Sequence, residues 1–271
     1  MPELPEMANL ARQMNRELKG KVVAGVEVRQ PKVLNGPEEQ FRGLVLGKAF
    51  DAVRSKGKWV MAELLPDAHF LLSLGMGGEA LYHRAGEVLP ERYQVKFTFS
   101  DGDSLTINFW WFGYAHAVRA ADLGAHRMTA ELGLSPLDDS EFTYDAFTAV
   151  LEGRKGGIKS FLMDQKNIAG IGNVYIQEIL WNARLHPNRR ITDIEPAQMQ
   201  VLFKEIRDTL RKATDLGGLI YERDLYNQKG RYEIYYLGAA DGKAVCPMCG
   251  AKIEKLKSAG TPSYICPTCQ K

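Results

Sequence analysis

All four cysteines of this 271-residue chain, Cys246, Cys249, Cys266 and Cys269, lie between residue 246 and the last residue. Their spacing, C-x2-C, sixteen residues, C-x2-C, is that of a zinc ribbon, in which a β-hairpin brings two thiolate pairs together around one tetrahedral metal. A redox dithiol pair is the alternative, but it does not explain a second pair at hairpin distance. With cysteine in every position, one structural Zn2+ would hold the end of the chain together and leave no open coordination position for catalysis.

A secreted disulfide framework would spread its bridges along the chain. The start, MPELPEMANL, carries two carboxylates where a signal peptide needs a basic and then an apolar stretch, and no run of 18 uncharged apolar residues occurs. These features predict a cytoplasmic protein with no membrane partner. At 45% hydrophobic and 25% charged residues, the chain has apolar material for one large core or two moderate ones. The net charge of +2 neither announces nor excludes a polyanionic partner. Local patches are stronger. Residues 41 to 60 hold Arg42, Lys48, Arg54, Lys56 and Lys58 against Asp51, whereas residues 131 to 145 hold only acidic charge and residues 252 to 271 hold mainly lysine.

The hydrophobic period changes along the chain. Leu10, Met14 and Leu18 predict an amphipathic helix over 7 to 18, ended by Gly20. Segments 21 to 29, 58 to 64 and 69 to 74 read as strands. Tyr93, Val95, Phe97 and Phe99 alternate into an Asp101-Gly102 turn, and Leu105, Ile107 and Phe109 return from it, which is a hairpin signal. After an acidic linker near 131 to 142 the pattern becomes helical, with a Gly170 to Asn173 turn opening one helix and Met199, Leu202, Ile206 and Leu210 marking another. A Tyr-rich stretch over 221 to 237 leads into the cysteines.

Pro2 is the second unusual residue. An initiator methionine before proline is normally removed, and the secondary amine then exposed is a nucleophile. Its attack on C1′ of a deoxynucleoside would expel the base and give an iminium ion, which acidifies the C2′ proton and permits β-elimination. Glu3 and Glu6 lie beside it and could move the protons such steps require. Taken singly, each has a plainer reading: an ordinary N-terminal proline, a carboxylate facing a helix dipole, a solvated strand charge at Lys58.

Taken together, MPELPE, K-W-V at Lys58, LGMGG at 74 to 78, WFG at 111 to 113, IKSFLMDQ at 158 to 165, GIGNVY at 170 to 175 and the cysteine module ending in CQK resemble the formamidopyrimidine-DNA glycosylase (Fpg) and endonuclease VIII family over nearly the whole chain. The LGM segment and the four-cysteine finger bring it nearer the formamidopyrimidine branch. The resemblance implies an α+β multidomain chain: an N-terminal antiparallel β-sandwich catalytic domain with flanking helices (1–132), a helical helix-two-turn-helix DNA-binding domain (133–225) and a zinc-finger hairpin (240–271). It implies Pro2 as nucleophile, Glu3 as proton donor and acceptor, and Glu6 and Lys58 in the catalytic set. Lys58, Lys159 and Asn173 would meet DNA, with Met76 filling the gap left by the everted nucleotide and Phe112 as the wedge beside it. Core packing is the alternative for Met76 and Phe112.

The chain departs from the family pattern where DNA would be read. The usual D-P-R-R-F-G is Asn108-Phe109-Trp110-Trp111-Phe112-Gly113, the usual H-L-G-M-S-G is Ser73-Leu74-Gly75-Met76-Gly77-Gly78, and Thr261 stands where the finger hairpin usually has arginine. An indole at Trp110 stacks but has a single donor, so weaker discrimination of the base opposite a lesion is expected. One of Trp110 and Trp111 is expected to pack into the sandwich, because adjacent strand residues face opposite ways. The implied function is that of a divergent, monomeric DNA repair enzyme, cytoplasmic and nucleoid-associated when bound. It would be a bifunctional N-glycosylase and abasic-site (AP) lyase acting on oxidised or ring-opened purines in damaged double-stranded DNA. The alternatives are a non-catalytic binder of damaged DNA, or an AP lyase with weak or altered base excision.

Overall fold

The first helix, α1 (Leu4–Leu18), starts earlier than its apolar spacing requires because a capping box sets its beginning. The Glu3 side chain accepts from the Glu6 backbone N–H, and the Glu3 N–H donates to Glu6 Oε2 at 2.8 Å. Met7, Leu10, Ala11, Met14 and Leu18 then fall on one buried face. The computed structural model describes residues 1–271, the side chain of Ala240 excepted. The chain divides into two units, Met1–Glu131 with Ile220–Gly230, and Leu132–Leu219 with Arg231–Lys271.

In the first unit, β1 (Val23–Val28) and α2 (Glu38–Val45) precede β2 (Ala49–Lys56), β3 (Trp59–Leu65), β4 (Ala68–Ser73), β5 (Glu79–His83), β6 (Val95–Phe99), β7 (Ser104–Asn108) and β8 (Tyr114–Arg119). They form two antiparallel four-stranded sheets, ordered β1-β6-β7-β5 and β2-β3-β4-β8. Their inner faces meet in an aromatic cluster, with Phe70 of one sheet 5.0 Å from Phe97 of the other and Phe50 5.8 Å from Phe99. Burying each such ring contributes about 1.5–3 kcal/mol. The hairpin expected at Asp101-Gly102 is present, pairing Val95 with Ile107 and Phe97 with Leu105. Strand β2, not evident in the sequence, carries a bulge between Phe50 and Val53 that breaks its alternation. Residues 220–230 belong here because Leu225 is buried in this core, and Gln13 holds its N–H at 2.9 Å.

The second unit holds α3 (Tyr144–Leu151), α4 (Ile158–Met163), α5 (Tyr175–Asn182), α6 (Pro196–Asp215) and a hairpin of β9 (Glu254–Ser258) and β10 (Thr261–Ile265). Thr143 caps α3 by accepting from the Ala146 N–H at 3.1 Å. The acidic segment read as a linker is instead tied down. Asp139 accepts from Arg207 and Arg211 of α6, and Phe142, buried, stacks on Phe203 at 5.0 Å. The Tyr-rich stretch is likewise packed: Tyr235 stacks on Trp181 at 4.6 Å and Tyr236 on Tyr264 at 5.2 Å. Among the described residues no helix is long and apolar enough to cross a membrane.

Glu178 of α5 is 3% exposed, and burial pushes its pKa up to about 7, against the N–H of Tyr235 and the hydroxyl of Tyr232, which favour the anion. A carboxyl group whose pKa is higher folded than unfolded costs nothing below the unfolded value. Its penalty grows as pH rises from about 4.5 to about 7 and is complete above that. Glu178→Gln should therefore stabilise the chain at pH 8 by up to about 3 kcal/mol, and by nothing measurable at pH 4. Thermal unfolding at the two pH values reads the difference.

Candidate nucleic-acid interface

At the chain start, Glu3 is 2% and Glu6 7% exposed, held against each other by the capping box, and Pro2 is buried beside them. The Met1 ammonium lies 3.1 Å from Glu222 Oε1. While Met1 is attached, the Pro2 nitrogen is an amide with no nucleophilic lone pair. Glu222, 221 residues away in sequence, was not legible as a neighbour of the terminus because nothing in its local pattern points there. Lys58 stands in the turn between β2 and β3, following Gly57 at φ +58°, and is partly exposed rather than part of a strand.

Two loops interlock in the same unit. Met76 and Trp111 form an isolated antiparallel bridge, the Met76 N–H donating to the Trp111 carbonyl at 2.7 Å and the Trp111 N–H to the Met76 carbonyl at 3.1 Å. Glycine is required at the contact: a Cβ on Gly75 would lie 2.1 Å from the Trp111 carbonyl oxygen, and one on Gly113 1.8 Å from the Phe109 ring. The loops present Met76, Trp110, Trp111 and Phe112, which are 37%, 79%, 57% and 64% exposed. Neither tryptophan packs into the sandwich, contrary to expectation. Residues 109–113 lie between β7 and β8 and are not strand, so the alternation argument does not apply. Trp111 and Phe112 stack at 5.6 Å, with Phe112 at φ +57°, a left-handed conformation costing of order 1 kcal/mol in a bulky residue. Such a group of exposed rings, pinned by its backbone, offers apolar faces on which a planar ligand can stack.

In the second unit the Thr261 hydroxyl donates to Asn173 Oδ1 at 2.8 Å, and Asn173 Nδ2 donates to the Pro262 carbonyl at 3.3 Å. Lys159, read from the sequence as DNA-facing, is 1% exposed. Its ammonium donates to Ser263 Oγ at 2.7 Å and Thr261 Oγ1 at 2.8 Å, so in this structure it clasps the hairpin to α4 rather than meeting solvent. Burial lowers its pKa to about 8. Sequence could not disclose this, since a lysine after an isoleucine carries no sign of which oxygens surround it. Asn173 is itself tied to the hairpin, and the adjoining Gln177 joins α5 to β10 by accepting from the Tyr264 N–H at 2.6 Å.

The four cysteine sulfurs all lie within 4.8 Å of one another, with Cys246 and Cys269 3.9 Å apart and Cys249 and Cys266 3.4 Å apart. A tetrahedral Zn–thiolate site has S···S edges of ~3.8 Å, so the donor set fits one structural zinc. When bound, the metal supplies the cross-link that so short a hairpin cannot obtain from its own core.

Three family models match the chain: the formamidopyrimidine-DNA glycosylase N-terminal domain over residues 1–108, the formamidopyrimidine-DNA glycosylase H2TH domain over 132–223, and the zinc finger found in FPG and IleRS over 245–271. The chain is 36% identical to the formamidopyrimidine-DNA glycosylase of Pelotomaculum thermopropionicum, covering all of this chain and 99% of that one. It is 31% identical to that of Bacillus licheniformis, covering both completely. The crystal structure of wild-type Lactococcus lactis Fpg (MutM) with N7-benzyl-Fapy-dG-containing DNA superposes with a TM-score of 0.88 at 25% identity, over the full length of both chains.

Proposed function

Since the chain belongs to the formamidopyrimidine-DNA glycosylase family, we propose that it is a DNA repair enzyme, a bifunctional DNA N-glycosylase and AP lyase that excises oxidised or ring-opened purines from damaged double-stranded DNA. The observation that carries this reading is the likeness along the entire length of the chain, finger included. In it, residues 1–132 supply the catalytic sandwich, 133–225 the helix-two-turn-helix domain, except that residues 220–225 fold with the first unit, and 240–271 the finger, and the enzyme works as a monomer in the cytoplasm, nucleoid-associated when bound.

With Met1 removed, the Pro2 amine attacks C1′ of the damaged nucleotide. The C1′–N bond to proline forms as the glycosidic C–N bond breaks, and the departing base takes up the proton that the proline nitrogen gives up. Glu3 protonates the ring oxygen as the sugar opens, giving the iminium ion. Loss of a C2′ proton then expels the 3′ phosphate, and hydrolysis of the iminium frees the amine. Burial of Glu3 and the capping box that fixes its side chain support this role, because a carboxyl group one residue from the amine and already held in place needs little reorganisation to pass a proton. Lys58 and Asn173 are assigned to phosphate contacts, and Met76 and Phe112 to the gap left in the duplex.

Trp110 in place of arginine supports relaxed opposite-base specificity, since a bidentate base contact contributes ~1–3 kcal/mol of discrimination and an indole cannot make one. Excision of 8-oxoguanine from duplexes carrying each of the four opposing bases tests this. Rates within about threefold of one another are expected; a cytosine preference of tenfold or more contradicts the assignment.

A further inference from the structure

We propose that the hollow beside Trp110 is a binding site for an unpaired nucleobase, the one left without a partner when the damaged nucleotide is displaced, and that Gly77 and Trp110 are a matched pair that shapes it. The proposal rests on the glycosylase reading above and goes beyond it, because it assigns that base a site outside the stack. The hollow has a volume of about 540 Å³, and its lining includes Gly77, Arg92, Tyr93, Gln94, Asn108 and Trp110, all of one unit. That volume lies within the ~300–1,000 Å³ typical of small-molecule sites.

The wall formed by Trp110 is fixed from both sides. Before it, Gln94 clamps the Phe109 backbone, its Oε1 accepting from the Phe109 N–H at 2.6 Å and its Nε2 donating to the Phe109 carbonyl at 3.0 Å. After it, Trp111 is held by the bridge to Met76. The indole thus stays 79% exposed with its neighbours immobilised, and a base that stacks on it loses little freedom of the protein. Arg29 and Tyr93, also on the lining, are tied to each other. Arg29 lies 3.7 Å over the Tyr93 ring, donates to Glu27 at 2.7 Å, and donates to the Tyr93 hydroxyl at 2.6 Å.

Gly77 explains why the indole sits where it does. A Cβ at this position would lie 2.7 Å from Trp110 Cε3 and 3.4 Å from its Cβ, too close for any side chain, and φ is +65° besides. Serine at 77 and this placement of Trp110 are mutually exclusive. The two departures from the family pattern are therefore one change, which removes a side chain so that an aromatic plane can lie in its place.

The remaining chemistry suits a nucleotide. Asn108 offers both a donor and an acceptor to a base edge. Arg92 is exposed, has no hydrogen-bond or ion-pair partner among the described residues, and is available to a phosphate. Glu91 is the acidic group on the lining, and because Arg29 is already paired with Glu27, Arg92 is the cation left to meet a ligand's phosphate. Recognition by stacking depends on ring size more than on base identity.

The test uses the full zinc-loaded chain and duplexes containing tetrahydrofuran, a stable abasic analogue, opposite each of the four bases or opposite a second tetrahydrofuran. Wild-type protein should bind the duplexes with an opposing base about tenfold more tightly than the one without, the size of one base–aromatic stack, with purines ahead of pyrimidines. Trp110→Ala and Gly77→Ser should each reduce that ratio below about twofold, while Trp110→Phe should keep most of it, which a misfolded loop would not. With 2-aminopurine as the opposing base, binding of wild type but not of Trp110→Ala should quench its fluorescence. A wild-type ratio near one, or a ratio that survives Trp110→Ala, overturns the site while leaving the glycosylase reading in place. Failure of every tetrahydrofuran duplex to bind more tightly than undamaged DNA overturns both.

Discussion

Cys266→Ser is expected to take the chain from one bound zinc to none and to unfold the β9–β10 hairpin while leaving the helices of the second unit intact. Cys266 is fully buried, and its sulfur is one of four gathered within 4.8 Å. Structural zinc sites contribute apparent binding free energies of about 10–16 kcal/mol in isolated fingers. The buried part of the local core is Tyr236, Ala239, Ala244, Ile253 and two of the cysteines, with Trp181, Ile234, Tyr235 and Tyr264 only partly buried against it, too small a core to replace that amount. Loss of the hairpin also takes from Lys159 the Thr261 and Ser263 hydroxyls that accept from its ammonium. Metal analysis with hydrogen exchange checks this. Exchange protection should vanish over residues 254–265 and persist in α6, whose buried stripe of Leu202, Ile206 and Leu210 is independent of the metal. A full complement of zinc with protected hairpin amides would contradict it.

An N-terminal extension that keeps Pro2 as an amide is expected to lower cleavage of abasic DNA by at least about 10³. The cause is covalent: an acylated nitrogen cannot form the iminium ion. Pro2→Gly restores a free amine once Met1 is removed and should recover part of the activity. Glu3→Gln separates the two chemistries. Glutamine keeps the acceptor that caps α1 but not the proton, so base excision should fall more than cleavage at a preformed abasic site. Equal losses would argue that Glu3 serves only the helix.

Particular elements show which parts of this arrangement are legible in sequence. The cysteine spacing is local, so the metal site could be read directly, and the Asp101-Gly102 hairpin could be read because turn and alternation coincide. Strand β2 could not, since its bulge shifts the period. Short-range rules also fail where a residue's role is set by distant partners. Lys159 looks like a solvent-facing cation until the hairpin, about a hundred positions later, surrounds it with oxygens. Trp110 and Trp111 look like strand residues with opposite faces until Gly75 and Gly113 are seen to let two loops interlock and hold both rings outward. The motifs carried the family resemblance, whereas the consequences of the departures from it depended on the three-dimensional fit of Gly77 to the indole.

The central claim is that the nitrogen of residue 2 carries the chemistry, and borohydride trapping on an abasic-site duplex tests it most directly. Protein whose intact mass verifies removal of Met1 should give a covalent protein–DNA adduct, and peptide mapping should locate the reduced sugar on Pro2. The absence of an adduct from such protein, or an adduct mapped to a lysine instead, would contradict the account.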